Sequence, residues 1–396
     1  MSEWQKIEEK YYIYTVTRVP VTLVRGEGAR VWDENGKEYL DFIAGWAVNS
    51  LGHCPPVVAD ALTEQANTLI QTSNQFYTIP QLQLARLLVE NSCLDKVYVC
   101  NSGLEANEGA VKLARRYGSL KRKGAYEVIT ANNSFHGRSL AMTAATGQER
   151  FQKPYIPLPK GFKNVPFDDI EAIKKATTDK TCAVMLEPVQ GEGGVNIPAD
   201  DYLLKVREWC DENKILLILD EIQTGIGRLG TLFGYELYGI EPDIISLAKG
   251  LGSGVPVGAF MAKDEFCCFS PGEHGSTFGG NALTSAAAYA TVKYIIDNDI
   301  PGNVKKVGQY LMKGLESLKN KYKFITDVRG RGLLVAIEFD SDIGVAALDA
   351  CLERGLLVNR VKPNALRFMP PLIIGNSEVD EALDILDKAL SSVANK

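Results

Sequence analysis

One lysine lies between a short apolar segment and a glycine-rich segment. Lys249 follows residues 244–248 and precedes residues 250–254, three of which are glycine. Burial of a lysine disfavours its charged form, lowers its pKa from about 10.4 and makes the amine nucleophilic. Such an amine can form a Schiff base with a carbonyl compound. Lys249 is therefore a candidate catalytic residue, although a lysine that reaches solvent from a strand end fits the same pattern.

An acid follows another apolar segment in the same way. Asp220 comes after residues 216–219 and is followed by Glu221 and Gln223. Parallel sheets bind ligands at the carboxyl ends of their strands, where an acid can hold the protonated nitrogen of a pyridine ring. An acid that caps a loop or a helix has the same sequence signature.

A third pattern predicts a phosphate site. Ser102 and Glu105 have the spacing of a capping box, so we expect a helix to begin here. The first N–H groups of a helix and its dipole bind phosphate, and Gly103 allows an anion to approach the backbone closely. The apolar face of this helix contains Ala110, Val111, Ala114 and Tyr117. A capped helix without a ligand also explains the spacing.

Two arginines and one aromatic residue are the remaining candidates. Phe135 can stack on an aromatic ring, and Arg138 can bind a carboxylate with two hydrogen bonds. Arg367 lies inside an apolar run, where a charge must be paired or must bind an anionic ligand. Glu187 and Glu192 are its candidate carboxylate partners.

The loop 275–281 adds two hydroxyl groups, on Ser276 and Thr277, that can contact a phosphate. Each of these signals is weak alone. Together, a Schiff-base lysine, a pyridinium acid, a stacking ring, a phosphate-binding helix start and two carboxylate-binding arginines are the parts that pyridoxal 5′-phosphate requires.

The segments that must position these residues alternate between strands and helices. Short apolar runs predict buried strands at 97–100, 128–130, 183–186, 216–219, 244–247 and 257–261. Helical patterns such as 203–212 separate several of them, which predicts a mostly parallel sheet covered by helices. Residues 21–43 predict β structure with a hairpin turn at Asn35-Gly36.

The pattern changes at about residue 300. A helix is predicted at 304–320, and strands are predicted at 333–339, 356–361 and 365–368. The chain ends on an amphipathic helix whose apolar residues are Val379, Ala382, Leu383, Leu386 and Leu390. We therefore predict an α/β protein with a large cofactor-binding domain at 51–297. Residues 298–396 would form a smaller α+β domain, which residues 1–50 join.

Composition limits the function classes. The 396 residues have a net charge of -6 without a Lys/Arg stripe, so we expect no nucleic-acid partner. Three histidines and eight cysteines without a CxxC pair predict no metal site and reduced thiols. The sequence has no secretory signal and no run of 18 apolar residues, so we expect a cytoplasmic protein without a membrane contact.

The chain resembles the class III aminotransferases of pyridoxal-phosphate fold type I, and most closely the acetylornithine aminotransferases. The similarity extends from RGEGARVWDENGKEYLDF to LRFMPPLI, almost the whole length. The motifs that carry it are NSGLEANEGAVKLAR, SFHGRSLA, EPVQGEGG, LDEIQTGIGRLG, LAKGLGSGVPVGA and HGSTFGGN. They are specific in combination.

The resemblance implies which residues bind the cofactor. Lys249 would carry it, Asp220 would pair with its pyridine nitrogen, and Gln223 would approach its O3′ oxygen. Phe135 would stack on the ring. The phosphate would be bound at the helix start, by Ser102, Gly103 and Leu104, the last two through backbone N–H groups.

The resemblance also implies how substrates bind. Arg138 and Ser276 would hold the acetylornithine end, and Arg367 would bind the α-carboxylate of 2-oxoglutarate or glutamate. Glu192 would shield Arg367 when an ω-amino substrate enters. Thr277 would contact the phosphate in the neighbouring subunit, which implies a homodimer with shared sites.

Two residues depart from the family pattern. Leu104 replaces a threonine or alanine, and Trp46 replaces a smaller apolar residue near the substrate entrance. The tyrosine with which ornithine aminotransferases bind a free α-amino group is absent, which argues against free ornithine.

The implied reaction transfers the ω-amino group of N2-acetyl-L-ornithine to 2-oxoglutarate, giving N-acetylglutamate 5-semialdehyde and glutamate in arginine biosynthesis. Alternatives of the same fold use succinylornithine, ornithine, 4-aminobutyrate or aminoadipate semialdehyde, and a glutamate-semialdehyde mutase needs no external acceptor. A hypothesis from another class is a non-catalytic α/β protein that binds a phosphate or nucleotide at Gly103. It leaves Lys249 and Asp220 without a shared purpose.

Overall fold

Residues 2–394, which the computed structural model describes, alternate between helices and strands as the apolar patterns predict. The helices are α1 (Glu3–Tyr11), α2 (Ala44–Ala47), α3 (Pro56–Ala66), α4 (Ile79–Glu90), α5 (Gly103–Lys121), α6 (Leu140–Ala145), α7 (Glu149–Gln152), α8 (Ile170–Ala176), α9 (Tyr202–Asn213), α10 (Ala282–Asp297), α11 (Ile300–Lys321), α12 (Gly344–Glu353) and α13 (Asn376–Ala394). None of these described helices has the length and apolarity that crossing a membrane requires.

The strands form three sheets. They are β1 (Leu23–Glu27), β2 (Arg30–Asp33), β3 (Glu38–Asp41), β4 (Lys96–Cys100), β5 (Glu127–Ala131), β6 (Phe162–Val165), β7 (Thr181–Leu186), β8 (Leu216–Asp220), β9 (Ile244–Leu247), β10 (Gly258–Ala262), β11 (Ile325–Arg331), β12 (Leu334–Phe339), β13 (Leu356–Leu357), β14 (Asn359–Lys362) and β15 (Ala365–Phe368). The six strands that the sequence predicts in the central region are confirmed, whereas β6 and β11 were not predicted.

The central sheet has seven strands in the order β4-β10-β9-β8-β7-β5-β6. Only β10 runs antiparallel to its neighbours, so the prediction of a mostly parallel sheet is confirmed. Alternate side chains of each strand point to opposite faces. Ile218 packs in the cluster beneath α5, whereas Leu217 and Leu219 pack in the larger cluster on the other face. Burial on both faces explains why these strands are continuous apolar runs.

The two smaller sheets involve both ends of the chain. One has the order β1-β2-β3-β13, and the other has the order β11-β12-β15-β14. In the first, β3 pairs with β13 through Leu40 and Leu356. The strand predicted at 356–361 is therefore wrong as a single unit, because its two halves belong to different sheets.

The predicted hairpin joins β2 and β3. Gly36 has a φ of 80°, a conformation that favours glycine. The Asp33 carboxylate accepts hydrogen bonds from the backbone N–H groups of Asn35 and Lys37 at 2.9 Å each, so the turn is closed by its own side chain.

The last helix, α13, confirms the predicted amphipathic pattern. Val379, Ala382, Leu386 and Leu390 are buried, and Leu383 is half-buried. Met1 and the last two residues of the predicted small domain, Asn395 and Lys396, lie outside the described residues.

Candidate active site

The sheet order brings the candidate residues to one edge of the central sheet. Strands β4, β5, β7, β8 and β9 run in the same direction, so their carboxyl ends meet there. The loops after them line a cavity of about 550 Å³. Open α/β sheets bind ligands in this position.

Lys249 reaches this cavity from the loop after β9. Its backbone has a φ of 41°, in the left-handed region, which costs a residue other than glycine about 1 kcal/mol. Burial and the nearby Arg367 charge lower the pKa of Lys249 to about 8. Among residues 2–394, nothing forms a hydrogen bond or an ion pair with its Nζ. Lys249 thus presents an amine that is substantially neutral near pH 8.

Asp220 lies at the end of β8 in a buried polar network. Its Oδ2 accepts hydrogen bonds from His136 Nδ1 and Asn107 Nδ2, at 2.8 Å each. Ser246 donates in turn to Asn107 Oδ1 at 2.5 Å. Burial alone would lower the pKa of His136, but the hydrogen bond and charge of Asp220 raise it above its ordinary value. The hydrogen bonds from His136 and Asn107 therefore fix the position of the Asp220 carboxylate.

This hydrogen-bond network was not predicted from the sequence. The only available signal is polarity in apolar surroundings, because Asn107 interrupts the buried face of α5 and Ser246 interrupts β9. Buried polar groups require partners, but a sequence does not show which ones they find.

The helix after β4 begins with the predicted N-cap, but only one of the two hydrogen bonds of the predicted capping box forms. Ser102 Oγ accepts from the backbone N–H of Glu105 at 3.2 Å. The Glu105 carboxylate turns to Asn101 instead, and accepts from its backbone and its side chain at 2.8 Å each. A Cβ on Gly103 would lie 2.7 Å from Cδ1 of Ile222, so a larger residue at this helix start would require the side chain of Ile222 to move. Its first N–H groups have no intrahelical partner.

Of the two candidate partners of Arg367, Glu187 forms no ion pair with an arginine among the described residues, so this candidate is wrong. Its carboxylate accepts from the backbone N–H groups of Phe135 at 3.2 Å and Gly191 at 3.4 Å. Burial raises the pKa of Glu187. The carboxylate therefore fixes the loop that carries Phe135, which is half-buried on the cavity wall together with Leu104.

Arg367 is 1% exposed and has several acceptors around its guanidinium. It donates to Asn359 Oδ1 at 2.7 Å, Gly191 O at 2.7 Å and Gln223 Oε1 at 3.1 Å, and it pairs with Glu192 at 3.2 Å. Burial lowers the pKa of Arg367, and the Glu192 charge opposes that effect. Glu192 is thus the carboxylate partner that the sequence left open, and Asn359 is a partner that it missed.

Arg138 lies at the mouth of the cavity and is exposed. Its guanidinium carbon lies 4.2 Å from the ring centre of Phe151 and 5.5 Å from that of Phe135. The two rings meet edge to face at 5.8 Å. Cation–π contacts therefore orient Arg138.

Three predicted residues lie outside this cavity wall in the single chain. Ser276 Oγ accepts hydrogen bonds from Asn101 and from Gly279, and it does not bond to Arg138. Thr277 is exposed on the same loop. Trp46 is 56% exposed in α2, whose residues all have positive φ. One chain thus brings together the ring-binding and carboxylate-binding candidates but not these three.

Comparisons with known proteins show the family to which the chain belongs. A family model described as aminotransferase class-III matches residues 11–390. The chain belongs to the class III aminotransferases.

Relatives of this class III aminotransferase match it over nearly its whole length. The acetylornithine aminotransferase of Caldanaerobacter subterraneus is 52% identical over 387 residues, which cover 98% of each chain. The crystal structure of the ornithine aminotransferase of Toxoplasma gondii has a TM-score of 0.96 at 35% identity, with 99% of this chain and 95% of that one covered. The acetylornithine aminotransferase structure from Elizabethkingia anophelis has a TM-score of 0.88 at 34% identity and covers 98% of each chain. These neighbours confirm the predicted fold class.

Class III aminotransferases depend on pyridoxal 5′-phosphate, which confirms the predicted cofactor. The described residues of the cavity fit pyridoxal 5′-phosphate. Asp220, a buried carboxylate held in position by His136 and Asn107, suits a protonated ring nitrogen. The start of α5 suits a phosphate, and the unpartnered amine of Lys249 suits a carbonyl carbon.

Proposed function

We propose that this aminotransferase moves the ω-amino group of N2-acetyl-L-ornithine to 2-oxoglutarate, giving N-acetylglutamate 5-semialdehyde and glutamate, a step of arginine biosynthesis. The observation that carries the proposal is the buried Arg367 paired with Glu192 beside the cavity that Lys249 lines. The site would bind an amine with one carboxylate and then a dicarboxylate. It therefore needs a positive charge that another residue neutralises for the first substrate and leaves available for the second. The 52% identity to an acetylornithine aminotransferase supports the donor.

We propose that the inner residues hold the cofactor. Lys249 would hold it covalently through Nζ, and Phe135 would cover the ring. Asp220 would supply the negative charge beside the ring nitrogen, and Gln223, which lines the cavity, would face the ring oxygen. The phosphate would be bound by the helix start, at Ser102, Gly103 and Leu104. When bound, the cofactor supplies an electron sink for negative charge on the substrate carbon.

Lys249 is the group placed to move a proton. A general base works best when its pKa is near the working pH, and burial brings that of Lys249 to about 8. After the amine of the substrate has displaced Lys249 from its covalent bond to the cofactor, the freed Nζ would take the proton from the carbon that bears the reacting amine and pass it to the cofactor on the same face. Meanwhile the Asp220 carboxylate would stay in position beside the ring nitrogen, because it is buried and hydrogen-bonded to His136.

Arg138 and Arg367 would distinguish the two substrates by the number of carboxylates that each substrate carries. The α-carboxylate of the donor would bind Arg138 at the mouth, close to Ser276 of the assembled site, while Glu192 stays on Arg367. The dicarboxylate acceptor would bind Arg138 and Arg367 together after Glu192 moves away. One site would therefore serve both substrates in turn, which gives ping-pong kinetics.

We propose a homodimer in which Thr277 contacts the partner's cofactor phosphate. Thr277 is exposed, and its loop is joined to residues 70–77 by hydrogen bonds from Gln71 and Asn74. This region exposes large apolar side chains: Ile70, Phe76, Tyr77 and Phe278. Contiguous apolar patches of this kind mark protein interfaces.

We also propose the division into a large domain at 51–297 and a small domain at 298–396 with the first 50 residues. The pairing of β3 with β13 supports it, because it ties the N-terminal strands to the C-terminal part. A cytoplasmic location is proposed from the eight cysteines, all of which are free.

An absorbance experiment on the cofactor-loaded protein tests the function. N-acetylornithine should remove the visible band of the bound cofactor, and 2-oxoglutarate should restore it. In Arg367→Lys, the first change should persist while the second needs at least about 30-fold more 2-oxoglutarate, the loss typical of a weakened buried charge contact.

The outcomes separate the alternatives. If the visible band is unchanged by N-acetylornithine but is removed by succinylornithine, ornithine or 4-aminobutyrate, that compound is the amino donor instead. Product formation without any 2-oxo acid would favour a mutase. A protein that acquires no band with pyridoxal phosphate would contradict the proposal as a whole.

A further inference from the structure

The carboxylate of Glu192 lies between two arginines in different surroundings. Its Oε2 is 3.2 Å from Nη2 of Arg367, and its Oε1 is 3.9 Å from Nη2 of Arg150. The side chain of Arg367 is 1% exposed, that of Glu192 is 35% exposed and that of Arg150 is 60% exposed. Glu192 therefore stands where the buried interior meets the mouth of the cavity.

Arg150, in α7, is held in position rather than free in solvent. Its Nε and Nη2 donate to Gln148 Oε1 at 3.1 and 2.9 Å. Gln148 is anchored in turn, because its Nε2 donates to the backbone oxygen of Ser134 at 3.0 Å. The guanidinium carbon also lies 4.6 Å from the ring centre of Phe151. These contacts reduce the conformational freedom that Arg150 must lose to bind a carboxylate.

The proposed reaction creates an electrostatic problem at Glu192. When a dicarboxylate binds Arg367, the displaced carboxylate of Glu192 remains a few ångströms from the incoming one. Like charges at that distance repel in a partly buried site. The displaced group therefore needs another cation, and the described residues give Glu192 two cationic partners, Arg367 and Arg150.

We propose that Arg150 receives the carboxylate of Glu192 when it leaves Arg367, and thereby sets how readily the site accepts a dicarboxylate. This inference rests on the proposed use of a dicarboxylic 2-oxo acid as the second substrate. Only the Oε1–Nη2 distance has to shorten from 3.9 Å for the pair to form a hydrogen bond. Arg150 is a specificity residue that acts through Glu192, without a contact of its own to the substrate.

The effect should be confined to one class of ligand. The amino donor leaves Glu192 on Arg367, so its binding does not depend on Arg150. A dicarboxylate requires the transfer, and a partly exposed ion pair changes such an equilibrium about threefold. The expected result is a selective loss of dicarboxylate affinity in variants that lack the Arg150 cation.

Glutarate is a suitable probe, because it has two carboxylates but no carbonyl group that could react. Its dissociation constant is measured by calorimetry on the cofactor-loaded protein. Arg150→Gln should weaken glutarate binding about threefold. Arg150→Lys should keep part of the affinity. The matched control is Lys153→Gln, which removes the same charge three residues away, where the lysine pairs with Glu149 at 2.9 Å; it should bind glutarate like the unchanged protein.

The decisive measurement repeats Arg150→Gln in a Glu192→Gln background. Without a carboxylate to receive, the loss of Arg150 should no longer affect glutarate. A threefold loss that persists there would mean that Arg150 attracts the ligand directly, and the inference would be wrong. It would also be wrong if Arg150→Gln bound glutarate normally while Glu192 is present.

Failure of the underlying function has a different signature. If the unchanged protein binds no glutarate, or if Arg367→Lys binds it as tightly, a dicarboxylate is not the second substrate and this role of Arg150 is rejected with it.

Discussion

The inner wall of the cavity and its mouth differ in how firmly their charged groups are held. On the inner wall, Asp220 is buried and receives hydrogen bonds from His136 and Asn107. At the mouth, Arg138 and Arg150 are exposed. The ring of Phe151 contacts both guanidinium groups, and Arg150 also donates hydrogen bonds to Gln148. The inner charge is therefore held by buried hydrogen bonds, whereas the charges at the mouth lie in contact with solvent.

This difference separates the reaction from the choice of substrate. Charges that stabilise a transition state work best when they are fixed before the reaction. A site that binds two different substrates in turn must instead adjust where their outer ends lie. We therefore expect the inner wall to govern the chemical step and the mouth to govern the choice of substrate.

Replacing Lys249 should have the largest effect, because the proposed function gives this residue two roles, as the attachment point of the cofactor and as the general base. Lys249→Ala should lower turnover at least about 10³-fold, within the range for removal of a general base. It should also lose the visible band of the covalently held cofactor. The measurement is steady-state turnover with N-acetylornithine and 2-oxoglutarate, beside an absorbance spectrum.

Lys263→Ala is the matched control, since that lysine pairs with Glu241 outside the cavity. It should keep both turnover and spectrum. Retained turnover in Lys249→Ala would contradict the assignment of the chemical step to the inner wall, because the inner wall would then not contain the essential amine.

The pH dependence of cofactor uptake tests whether burial activates Lys249. Only the neutral amine attacks a carbonyl, and its fraction rises as pH rises through the pKa. With a pKa of about 8, uptake by the cofactor-free protein should increase about tenfold from pH 7 to pH 9 and then level off. An exposed lysine would keep accelerating until about pH 10.4.

The measurement is the rate at which the visible band returns after mixing with pyridoxal phosphate, with Nα-acetyl-lysine as the reference amine. A rate that still rises steeply above pH 9 would show that the inner wall does not alter the amine.

Thr277→Ala should have the smallest effect, because it removes one hydroxyl from an exposed loop. If Thr277 binds the partner's phosphate, cofactor affinity should fall about fivefold, the value of one net hydrogen bond of about 1 kcal/mol. Ser270→Ala removes a hydroxyl from the same exposed segment and should change nothing. Equal affinity in both variants would limit the cofactor site to a single chain.

The sequence predicted most of the central sheet because its strands are buried on both faces. Residues 244–247, for example, form β9 without any correction. The edge strand β6 escaped prediction, since its sequence, FKNV, is short and polar. The segment 356–361 was read as one strand because its division between two sheets depends on tertiary pairing with β3.

Lys249 and Asp220 could be selected from the sequence because each combines a chemically active residue type with a position after a buried strand, and the structure brings both to one cavity. Partners were not predictable, because His136 and Asn107 reach Asp220 from distant parts of the chain. Glu187 illustrates the same limit: a buried carboxylate near an arginine motif binds backbone N–H groups instead.

The left-handed backbone at Lys249 is a small cost to the free energy of unfolding. Glycine adopts that conformation without the penalty of about 1 kcal/mol that a residue with a Cβ incurs. Glycine also gives the unfolded chain more conformational freedom, which costs a comparable amount. An exchange of this lysine for glycine should therefore leave the melting temperature of the cofactor-free protein nearly unchanged.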